Sequence, residues 1–276
     1  MAKYDIRDLQ MRLLKILQTV DNVCKEHNLD YYLWAGTMLG AVRHGGFIPW
    51  DDDADIAMPR PCYDILVEHA SEWLPYPYEL TCFEYNPKFT GTYAKIIDSS
   101  TTLIERYDFK SLGGIYIDLF PIDGVCDNGI RGKMKLSRYS YYKKIAYFCN
   151  RNPYKHGKGI SSWLPRLIQS RYTNADIQGK AISLMKECEY DSADYVCDFD
   201  DGAPGIMPKE YLGRPVPVMF EGIELKGVER SDAYLRHKYG DYMTIPSVEH
   251  QRQHDFYYLD YDLPYRQYKD EREFVS

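Results

Sequence analysis

Residues 34–60 have the sequence WAGTMLGAVRHGGFIPWDDDADIAMPR. This stretch carries the clearest sequence signals for both the fold and the functional site. Asp53 and Asp55 stand directly before the apolar residues 56–58, which we predict to form a strand. Alternate side chains of a strand point to the same face, so the two carboxylates lie together. They repel each other unless a cation lies between them, and Mg²⁺ or Mn²⁺ suits such hard oxygen ligands. We therefore expect a metal site at a strand end, shared with substrate phosphates.

The acidic run at residues 51–55 also invites comparison with calcium loops, helix caps and metal-free hydrolase sites. A calcium-binding EF-hand loop that starts at Asp51 needs Gly at position 56 and Glu at position 62, and Ile56 and Cys62 exclude it. A helix cap or a solvated turn explains one aspartate, but not four within five positions beside an apolar strand. A metal-free hydrolase that uses carboxylates stays open, although nothing in the sequence singles out a nucleophile or an acid.

Two further features point to the same chemistry. Gly36 and Thr37 separate a predicted strand from a predicted helix, and small residues there let backbone N–H groups approach a phosphate. Asp118 lies within an apolar strand predicted at 114–120, where a lone acid is costly unless it is paired or binds a metal. All three residues are therefore candidate site residues.

The order of the predicted elements indicates a sheet domain that also contains helices, of the α/β or α+β class. Hydrophobic periodicity predicts helices at 5–27, 38–44, 62–73 and 231–239. Strands are predicted at 31–34, 56–58, 78–84, 91–97, 114–120, 216–220 and 223–225. We predict three parts: a catalytic core at 1–125, a helical basic region at 126–210, and a C-terminal hairpin and helix that pack back on the core at 211–276. The chain after the last predicted helix shows no pattern.

The composition is that of an ordinary globular protein. Of the 276 residues, 45% are hydrophobic and 27% charged, and 34 Lys and Arg against 41 Asp and Glu give a formal net charge of −7. This excludes collagen-like, coiled-coil and wholly disordered chains. No apolar run approaches the roughly 18 residues of a membrane helix. Acidic residues near the start stand where a signal peptide carries basic and then apolar residues, so we expect a soluble cytoplasmic protein.

Basic residues concentrate between positions 128 and 175. This stretch has no Asp or Glu, and its Lys and Arg residues are Arg131, Lys133, Lys135, Arg138, Lys143, Lys144, Arg151, Lys155, Lys158, Arg166 and Arg171. Such asymmetry in an otherwise acidic chain predicts an anionic partner. The alternative is a solvated helix face whose positive charge is balanced by the negative charge of the acidic core. Nucleic acid is not expected, because the whole chain is acidic and has no nucleic-acid motif.

The cysteines and two histidines carry no clear metal signal. The seven cysteines include no CxxC pair, so neither a disulfide framework nor a zinc knuckle fits, and buried free thiols are expected. His250 and His254 are four residues apart, a spacing that suits a metal, but no third ligand accompanies them and we take the spacing as chance. The 27 tyrosines suit surfaces that hold sugars or cations and equally suit general packing.

The Gly-Thr pair, the Asp-Ala-Asp motif and the distant third aspartate together resemble the nucleotidyltransferase superfamily. The longer stretch 34–60 closely resembles the signature of the LicD family of phosphocholine transferases, which is related to the fukutin-related proteins. Further segments agree with that signature: YAKIID (93–98), GIYIDLFPID (114–123), and, late in the chain, YL (234–235) with YGDYM (239–243). The resemblance covers residues 5–125 well and 210–254 loosely. It implies a nucleotidyltransferase-like mixed sheet flanked by helices, with a helical basic insertion and a C-terminal extension.

The resemblance implies an enzyme that transfers phosphocholine from CDP-choline to a hydroxyl of a cell-surface glycan or teichoic acid precursor and releases CMP. Asp53 and Asp55 match the metal-binding pair, for Mg²⁺ or Mn²⁺, and Asp118 matches the third carboxylate. Gly36 and Thr37 match the phosphate-holding turn. Asp118 either binds a second ion or takes the proton of the acceptor hydroxyl. Two rival functions stay open: a transferase of another CDP-linked polyol phosphate, such as ribitol or glycerol, and a catalytically silent nucleotide-binding scaffold.

Five more residues are candidate substrate contacts. Lys95 lies on a predicted strand and either holds a phosphate or is an exposed surface lysine. Arg43 and His44 either contact a phosphate or cap the end of their helix. Trp34 and Trp50 supply aromatic rings for a cation–π cage around choline. The basic stretch is the predicted contact for an anionic acceptor or its membrane-attached carrier, which places the protein at the inner face of the membrane.

Overall fold

The computed structural model describes residues 4–87, 89–107, 112–154, 159 and 162–271 of the chain. The α-helices in this part of the chain are α1 (Ile6–Glu26), α2 (Ala35–His44), α3 (Arg60–Trp73), α4 (Ile130–Asn150), α5 (Trp163–Arg171), α6 (Asn174–Met185) and α7 (Ser231–Tyr239). The strands there are β1 (Tyr32–Leu33), β2 (Asp55–Pro59), β3 (Tyr78–Thr81), β4 (Ala94–Ile104), β5 (Gly113–Val125), β6 (Tyr195–Cys197), β7 (Ile206–Pro208), β8 (Val216–Phe220), β9 (Ile223–Gly227) and β10 (Tyr258–Asp260). Over the same residues, none of the helices is both long enough and apolar enough to cross a bilayer.

Most of these strands form one mixed sheet, which confirms the predicted class. Its central order is β1-β2-β5-β4-β10, in which β2 and β5 run parallel and the other neighbours run antiparallel. β3 also pairs with β4, while β6 pairs with the end of β5 and with β7. β8 and β9 form a separate two-stranded hairpin.

One face of the sheet is apolar and covered by helices. Ile56 of β2, Leu119 of β5 and Ala94 of β4 lie opposite one another in register and are fully buried. Helix α1 contacts β5, α3 contacts β2, and the apolar residues of α1 belong to the same buried cluster as those strand residues. Asp5 caps α1 by accepting a hydrogen bond of 2.8 Å from the backbone N–H of Arg7. The other face of the same three strands is therefore left for polar side chains.

Some element boundaries differ from the sequence-based expectation. β5 continues to Val125 and β4 to Ile104, because pairing with β6 and β10 supports the additional residues. Helix α2 begins at Ala35, so Gly36 and Thr37 lie in its first turn and not in a separate turn before it.

A disulfide joins Cys126, just after β5, to Cys188, just after α6. The prediction that the cysteines are free thiols is therefore wrong for this pair. Sixty-two residues separate the two in sequence, and only the fold brings their Cα atoms to 6.1 Å, within the range that a disulfide spans. The other cysteines are free, and three of them are buried: Cys24, Cys82 and Cys197.

The C-terminal residues return to the sheet and to α2. The β8–β9 hairpin turns at Glu221 and Gly222, which both have positive φ (52° and 79°), as the preferred two-residue hairpin turn requires. Helix α7 and strand β8 contact α2, and β10, in the tail without a sequence pattern, pairs with β4. The division of the chain into three parts stays a prediction, with boundaries at 1–125, 126–210 and 211–276.

A buried ion pair fastens α3 to β5. Arg60 donates from Nε and Nη2 to the two carboxylate oxygens of Asp123 at 2.7 and 2.6 Å, and both side chains are almost wholly buried. Removing one partner leaves a buried charge, so we expect Asp123→Ala to lower the free energy of unfolding by about 3–5 kcal/mol in urea denaturation.

The matched control for this change is Asp64→Ala. It removes a half-exposed carboxylate 3.4 Å from the same arginine, so its expected cost is about 0–1 kcal/mol. Equal losses of stability in the two variants would show that the Arg60–Asp123 pair has no special role.

Candidate active site

Three charged side chains form a row across the polar face of the sheet. The parallel register of β2 and β5 sets Asp55 opposite Asp118, and the antiparallel register of β5 and β4 sets Lys95 opposite Asp118. Their neighbours in sequence face the helices, so all three side chains point to the other face. Asp53 lies just before β2, two residues from Asp55, and extends the acidic side of this row. We refer to Asp53, Asp55 and Asp118 as the carboxylate cluster.

Asp118 has a carboxylate oxygen without a hydrogen-bond partner. Its Oδ1 is buried and accepts no hydrogen bond from the part of the chain that the structure describes, although Lys95 Nζ lies 3.4 Å away as an ion-pair partner. Lys95 makes a shorter contact of 2.7 Å with Glu105 Oε1 and lies 3.2 Å from the centre of the Tyr116 ring. With a side chain only 11% exposed, Lys95 is not a surface lysine. An unsatisfied buried acceptor costs roughly 1–3 kcal/mol, so a second positively charged partner beside Lys95 would stabilise this face.

The acids raise one another's pKa values. Burial raises the pKa of Asp118 to about 6, even though Lys95 beside it acts in the opposite direction. Burial also raises the pKa of Asp55 well above its ordinary value, and the charges of Asp53 and Asp118 add to this effect. Burial and the neighbouring Asp53 raise the pKa of Asp51 to about 8. When these acids are all ionised, the site holds more negative charge than Lys95 balances.

The carboxylate cluster fits a hard divalent cation whose coordination a substrate completes. Within the described residues, no three Asp, Glu, His or Cys side chains converge closely enough to enclose an ion by themselves. Magnesium does not require this, because it commonly binds one or two carboxylates and keeps waters or substrate phosphates in its other positions. The unsatisfied Oδ1 of Asp118 and the raised pKa of Asp55 both favour a cation here. These residues therefore fit Mg²⁺ or Mn²⁺.

The first turn of α2 lies against the acidic run. Thr37 is buried, and its Oγ1 accepts a hydrogen bond of 2.8 Å from the backbone N–H of Asp55. Gly36 leaves room for Asp51, because a Cβ atom at position 36 would lie 2.9 Å from Asp51 Oδ2. Backbone N–H groups in the first turn of a helix have no acceptor within the helix, which is the basis of phosphate binding at such ends. The Gly-Thr pair thus lies beside the acids, and Thr37 also positions β2.

The two tryptophans predicted to form a cage have different surroundings. Trp34 is fully buried, donates from Nε1 to Asp198 Oδ2 at 2.8 Å and packs against Tyr234. It therefore supports the site from within the core and offers no open ring to a headgroup. Trp50 is half-buried, and its ring meets that of His44 edge-on, with ring centres 6.3 Å apart. Of the two, only Trp50 has exposed ring surface.

Arg43 and His44 end α2 close to the acidic run. Arg43 Nη1 donates to the backbone carbonyl of Tyr242 at 2.7 Å, which fastens α2 to the residues after α7. Burial lowers the pKa of Arg43, and the charge of Asp51 opposes this effect. Burial and the charge of Arg43 lower the pKa of His44 below its ordinary value. At neutral pH the arginine is charged and the histidine is neutral, so Arg43 suits a phosphate better than His44 does.

Asp52 connects the acidic run to Tyr4, near the start of the described chain, and to His254, near its end. The sequence did not predict these contacts. The buried carboxylate of Asp52 lies 2.8 Å from His254 Nδ1 and accepts hydrogen bonds from the backbone N–H of His254 at 2.8 Å and from Tyr4 at 2.5 Å. The side-chain hydrogen bond to Asp52 raises the pKa of His254 to about 9. His250 contacts Ser247 Oγ, so the two histidines do not share a ligand.

Lys238, near the end of α7, is a second site residue without a sequence signal of its own. Its side chain is 7% exposed and lies 2.9 Å from Asp201 Oδ2. Its charge opposes the rise in the pKa values of Asp55 and Asp198, so it stands close to both carboxylates. Burial raises the pKa of the adjacent Tyr239, and the charge of Asp55 adds to this effect. The signature segments YL (234–235) and YGDYM (239–243) lie on either side of Lys238, but neither includes it.

The carboxylate cluster should destabilise the metal-free protein as the pH rises. An acid with a raised pKa in the folded state stays protonated at a pH where it has already ionised in the unfolded chain. Above about pH 4 it therefore lowers the free energy of unfolding increasingly as the pH rises. We expect Asp55→Asn to melt at the same temperature as wild type near pH 4 and at a higher temperature at pH 8, both in EDTA.

The comparison of the two proteins at each pH removes the contribution of carboxylates elsewhere in the chain. Asp64→Asn, at a half-exposed position outside the site, is the control; it loses ion pairs with Arg60 and Lys186, so at pH 8 it should melt at or slightly below the wild-type temperature. If Asp55→Asn melted at or below the wild-type temperature at pH 8, strain in the cluster would be excluded.

The chain is similar in sequence to several known proteins. Residues 28–149, which contain the carboxylate cluster, match the family described as LicD/FKTN/FKRP, nucleotidyltransferase domain. The lipopolysaccharide cholinephosphotransferase LicD of Haemophilus influenzae is 30% identical over 262 residues, 92% of this chain and 97% of that protein. Uncharacterized proteins of Rickettsia prowazekii and Rickettsia typhi are each 40% identical over 48 residues, which are 17% of this chain and 18% and 16% of theirs. The match to the Haemophilus protein spans nearly all of both chains, and the chain therefore belongs to the LicD family.

Proposed function

We propose that this chain transfers phosphocholine from CDP-choline to a hydroxyl of a lipopolysaccharide or teichoic acid precursor, with CMP as the leaving group. The row of Asp55, Asp118 and Lys95 carries the proposal, because it sets two carboxylates and a cation on one sheet face. The Haemophilus influenzae relative, named a lipopolysaccharide cholinephosphotransferase, supports the transferred group and the acceptor class. Family membership makes the chain a phosphotransferase, and the choice of CDP-choline as donor rests on the family likeness.

The carboxylate cluster would hold Mg²⁺ or Mn²⁺, which when bound neutralises charge on the transferred phosphoryl group and on the departing CMP. Gly36 and Thr37 lie beside the cluster in the first turn of α2, where backbone N–H groups suit phosphate oxygens. Lys95, held by Asp118 and Glu105, adds a fixed positive charge at the same face. Together these groups orient the diphosphate of the donor.

In the proposed reaction the acceptor hydroxyl attacks the phosphorus farther from cytidine. The bond from that phosphorus to the CMP oxygen breaks, CMP leaves with the bonding electrons, and the hydroxyl proton passes to a carboxylate. Asp118 suits this last task, because a pKa of about 6 leaves it mostly ionised at neutral pH and still basic enough to accept a proton. Its unsatisfied Oδ1 equally suits a metal, so both roles stay open to Asp118.

Asp53→Ala tests the role of the cluster. We expect it to reduce Mg²⁺-dependent CMP release from CDP-choline by roughly 100-fold or more, because metal ions supply several kcal/mol of charge stabilisation. Circular dichroism and the melting temperature should show a folded protein. Asp64→Ala is the control and should keep wild-type turnover; substantial turnover by Asp53→Ala would refute the proposed site.

A transferase of another CDP-linked group uses the same site and mechanism. Faster turnover of CDP-ribitol or CDP-glycerol than of CDP-choline in this assay would change the headgroup and leave the role of the cluster intact. A catalytically silent scaffold does not explain why the cluster is present. Buried acids lower stability unless a cation or a hydrogen bond compensates them.

Helices α4 and α5 offer a surface for an anionic acceptor on a membrane-attached carrier. Both helices expose large apolar side chains: Ile130, Met134, Tyr141, Trp163, Leu164 and Leu167. They also expose basic side chains: Arg131, Lys133, Arg138, Lys144, Arg166 and Arg171. Exposed apolar residues flanked by Lys and Arg are typical of helices that lie on anionic lipid. We therefore assign the carrier to this surface, at the inner face of the membrane.

Not every basic residue of the stretch belongs to this surface. Lys135 is buried and donates to two backbone carbonyls, so its role is structural. Lys143 lies 2.7 Å from the carboxylate of Asp200. Lys155 and Lys158 lie outside the described residues.

Combined charge reversal by Lys133→Glu and Lys144→Glu tests the surface. Each basic residue near an anionic membrane contributes about 1 kcal/mol, so we expect binding to phosphatidylglycerol vesicles in flotation assays to fall roughly tenfold or more. Lys15→Glu with Arg214→Glu, at exposed positions outside the stretch, is the control and should bind like wild type. Equal wild-type binding to phosphatidylcholine vesicles, or equal losses in both double variants, would rule out the surface.

A further inference from the structure

A small cavity with aromatic walls lies between residues 90–93 and helices α4 and α6. It has a volume of about 250 Å³, which suits a small group better than a whole nucleotide. Four tyrosines line it, and so do the charged residues Asp200 and Lys143; the tyrosines are Tyr93, Tyr139, Tyr142 and Tyr147.

The cavity adjoins the carboxylate cluster on the same face of the sheet. Tyr93 precedes Lys95 by two residues and Phe120 follows Asp118 by two, and the rings of Tyr93 and Phe120 lie 5.0 Å apart. Two residues of a strand span about 6.6 Å, so this aromatic pair lies about 6.6 Å along the sheet from Asp118 and Lys95. Burial raises the pKa of Tyr93, and the charge of Asp118 adds to this effect, as expected for a hydroxyl close to the cluster.

The cavity combines ring faces with a carboxylate. The hydroxyl of Tyr139 lies 2.6 Å from Thr92 Oγ1, which fixes the orientation of its ring. The charge of Asp200 contributes to the raised pKa of both Tyr93 and Tyr139, so the carboxylate stands near both hydroxyls. Lys143 Nζ lies 2.7 Å from Asp200 on a half-exposed side chain that can move aside. Aromatic faces attract cations, and a neighbouring carboxylate strengthens that attraction.

We propose that this cavity binds the quaternary ammonium group of the transferred choline moiety, with Tyr93, Tyr139 and Tyr142 as its walls and Asp200 as its counter-charge. This inference rests on the proposed function, which supplies CDP-choline as the donor. The position next to the carboxylate cluster lets one donor molecule place its headgroup in the cavity and its diphosphate at the cluster. A neutral headgroup lacks the positive charge that the ring faces and the carboxylate attract.

The test compares CDP-choline with its uncharged analogue, in which carbon replaces the quaternary nitrogen, by calorimetric titration of the full chain in Mg²⁺. Wild type should bind CDP-choline roughly five- to thirtyfold more tightly than the analogue, the range expected of a desolvated cation–π contact. Tyr142→Leu and Asp200→Asn should each abolish most of this preference, and Tyr142→Phe, which keeps the ring, should retain it. Tyr76→Leu is the control: it changes an exposed tyrosine outside the cavity and should leave the preference unchanged.

CMP binding, measured in the same variants, separates a local effect from general damage. The proposal predicts an unchanged Kd for CMP in Tyr142→Leu and Asp200→Asn. If wild type prefers CDP-choline and neither variant alters that preference, the cavity is not the headgroup subsite and the proposed function stands. If wild type binds CDP-choline and the analogue equally, or if the variants lose CMP binding to the same extent, the cavity proposal is overturned. If wild type binds neither CDP compound, the proposed function fails with it.

Discussion

The parallel pairing of β2 with β5 is the constraint on which the site depends, because it sets Asp55 directly opposite Asp118. Neighbouring strands lie about 4.8 Å apart, so two carboxylates share one partly desolvated face where like charges interact strongly. Burial raises the pKa of Asp118 to about 6 and that of Asp55 well above its ordinary value, and the charge of Asp53 adds to both effects. Lys95 and Lys238 balance part of this charge, and the hydrogen bond from Asp55 to Thr37 holds β2 in place.

The remainder of the fold compensates for this unfavourable arrangement. The opposite face of the same strands is fully buried under α1 and α3, and the Arg60–Asp123 pair fastens α3 to β5. Asp52 brings together Tyr4 and His254, which stand 48 and 202 residues away from it in sequence. Native proteins are only marginally stable, so a site of costly acids requires such supports around it. A divalent cation and the donor diphosphate would relieve the same repulsion that the free protein carries.

The features that could be predicted from the sequence depend on residues that lie close together in the chain. The apolar period of α1, the turn of the β8–β9 hairpin and the acids before β2 are each visible within one short segment. Contacts between distant segments left no such signal: the disulfide spans 62 residues, His254 meets Asp52 across 202, and β10 has three residues, too few for a pattern. Trp34 shows a second limit, because its residue type suggested a cage and its full burial follows from packing against α7 and Asp198.

The proposed function requires the carboxylate face to bind a CDP-alcohol together with a divalent cation. The most direct measurement is the melting temperature of the full chain with CDP-choline, in Mg²⁺ and in EDTA, with CTP and UDP-glucose for comparison. A ligand that binds only the folded state raises the melting temperature, so no acceptor is needed. We expect CDP-choline to raise the melting temperature only in Mg²⁺, and to raise it more than the other nucleotides do. This increase should disappear in Asp53→Ala. An equal increase in EDTA, or no increase with any nucleotide, would contradict the proposed function.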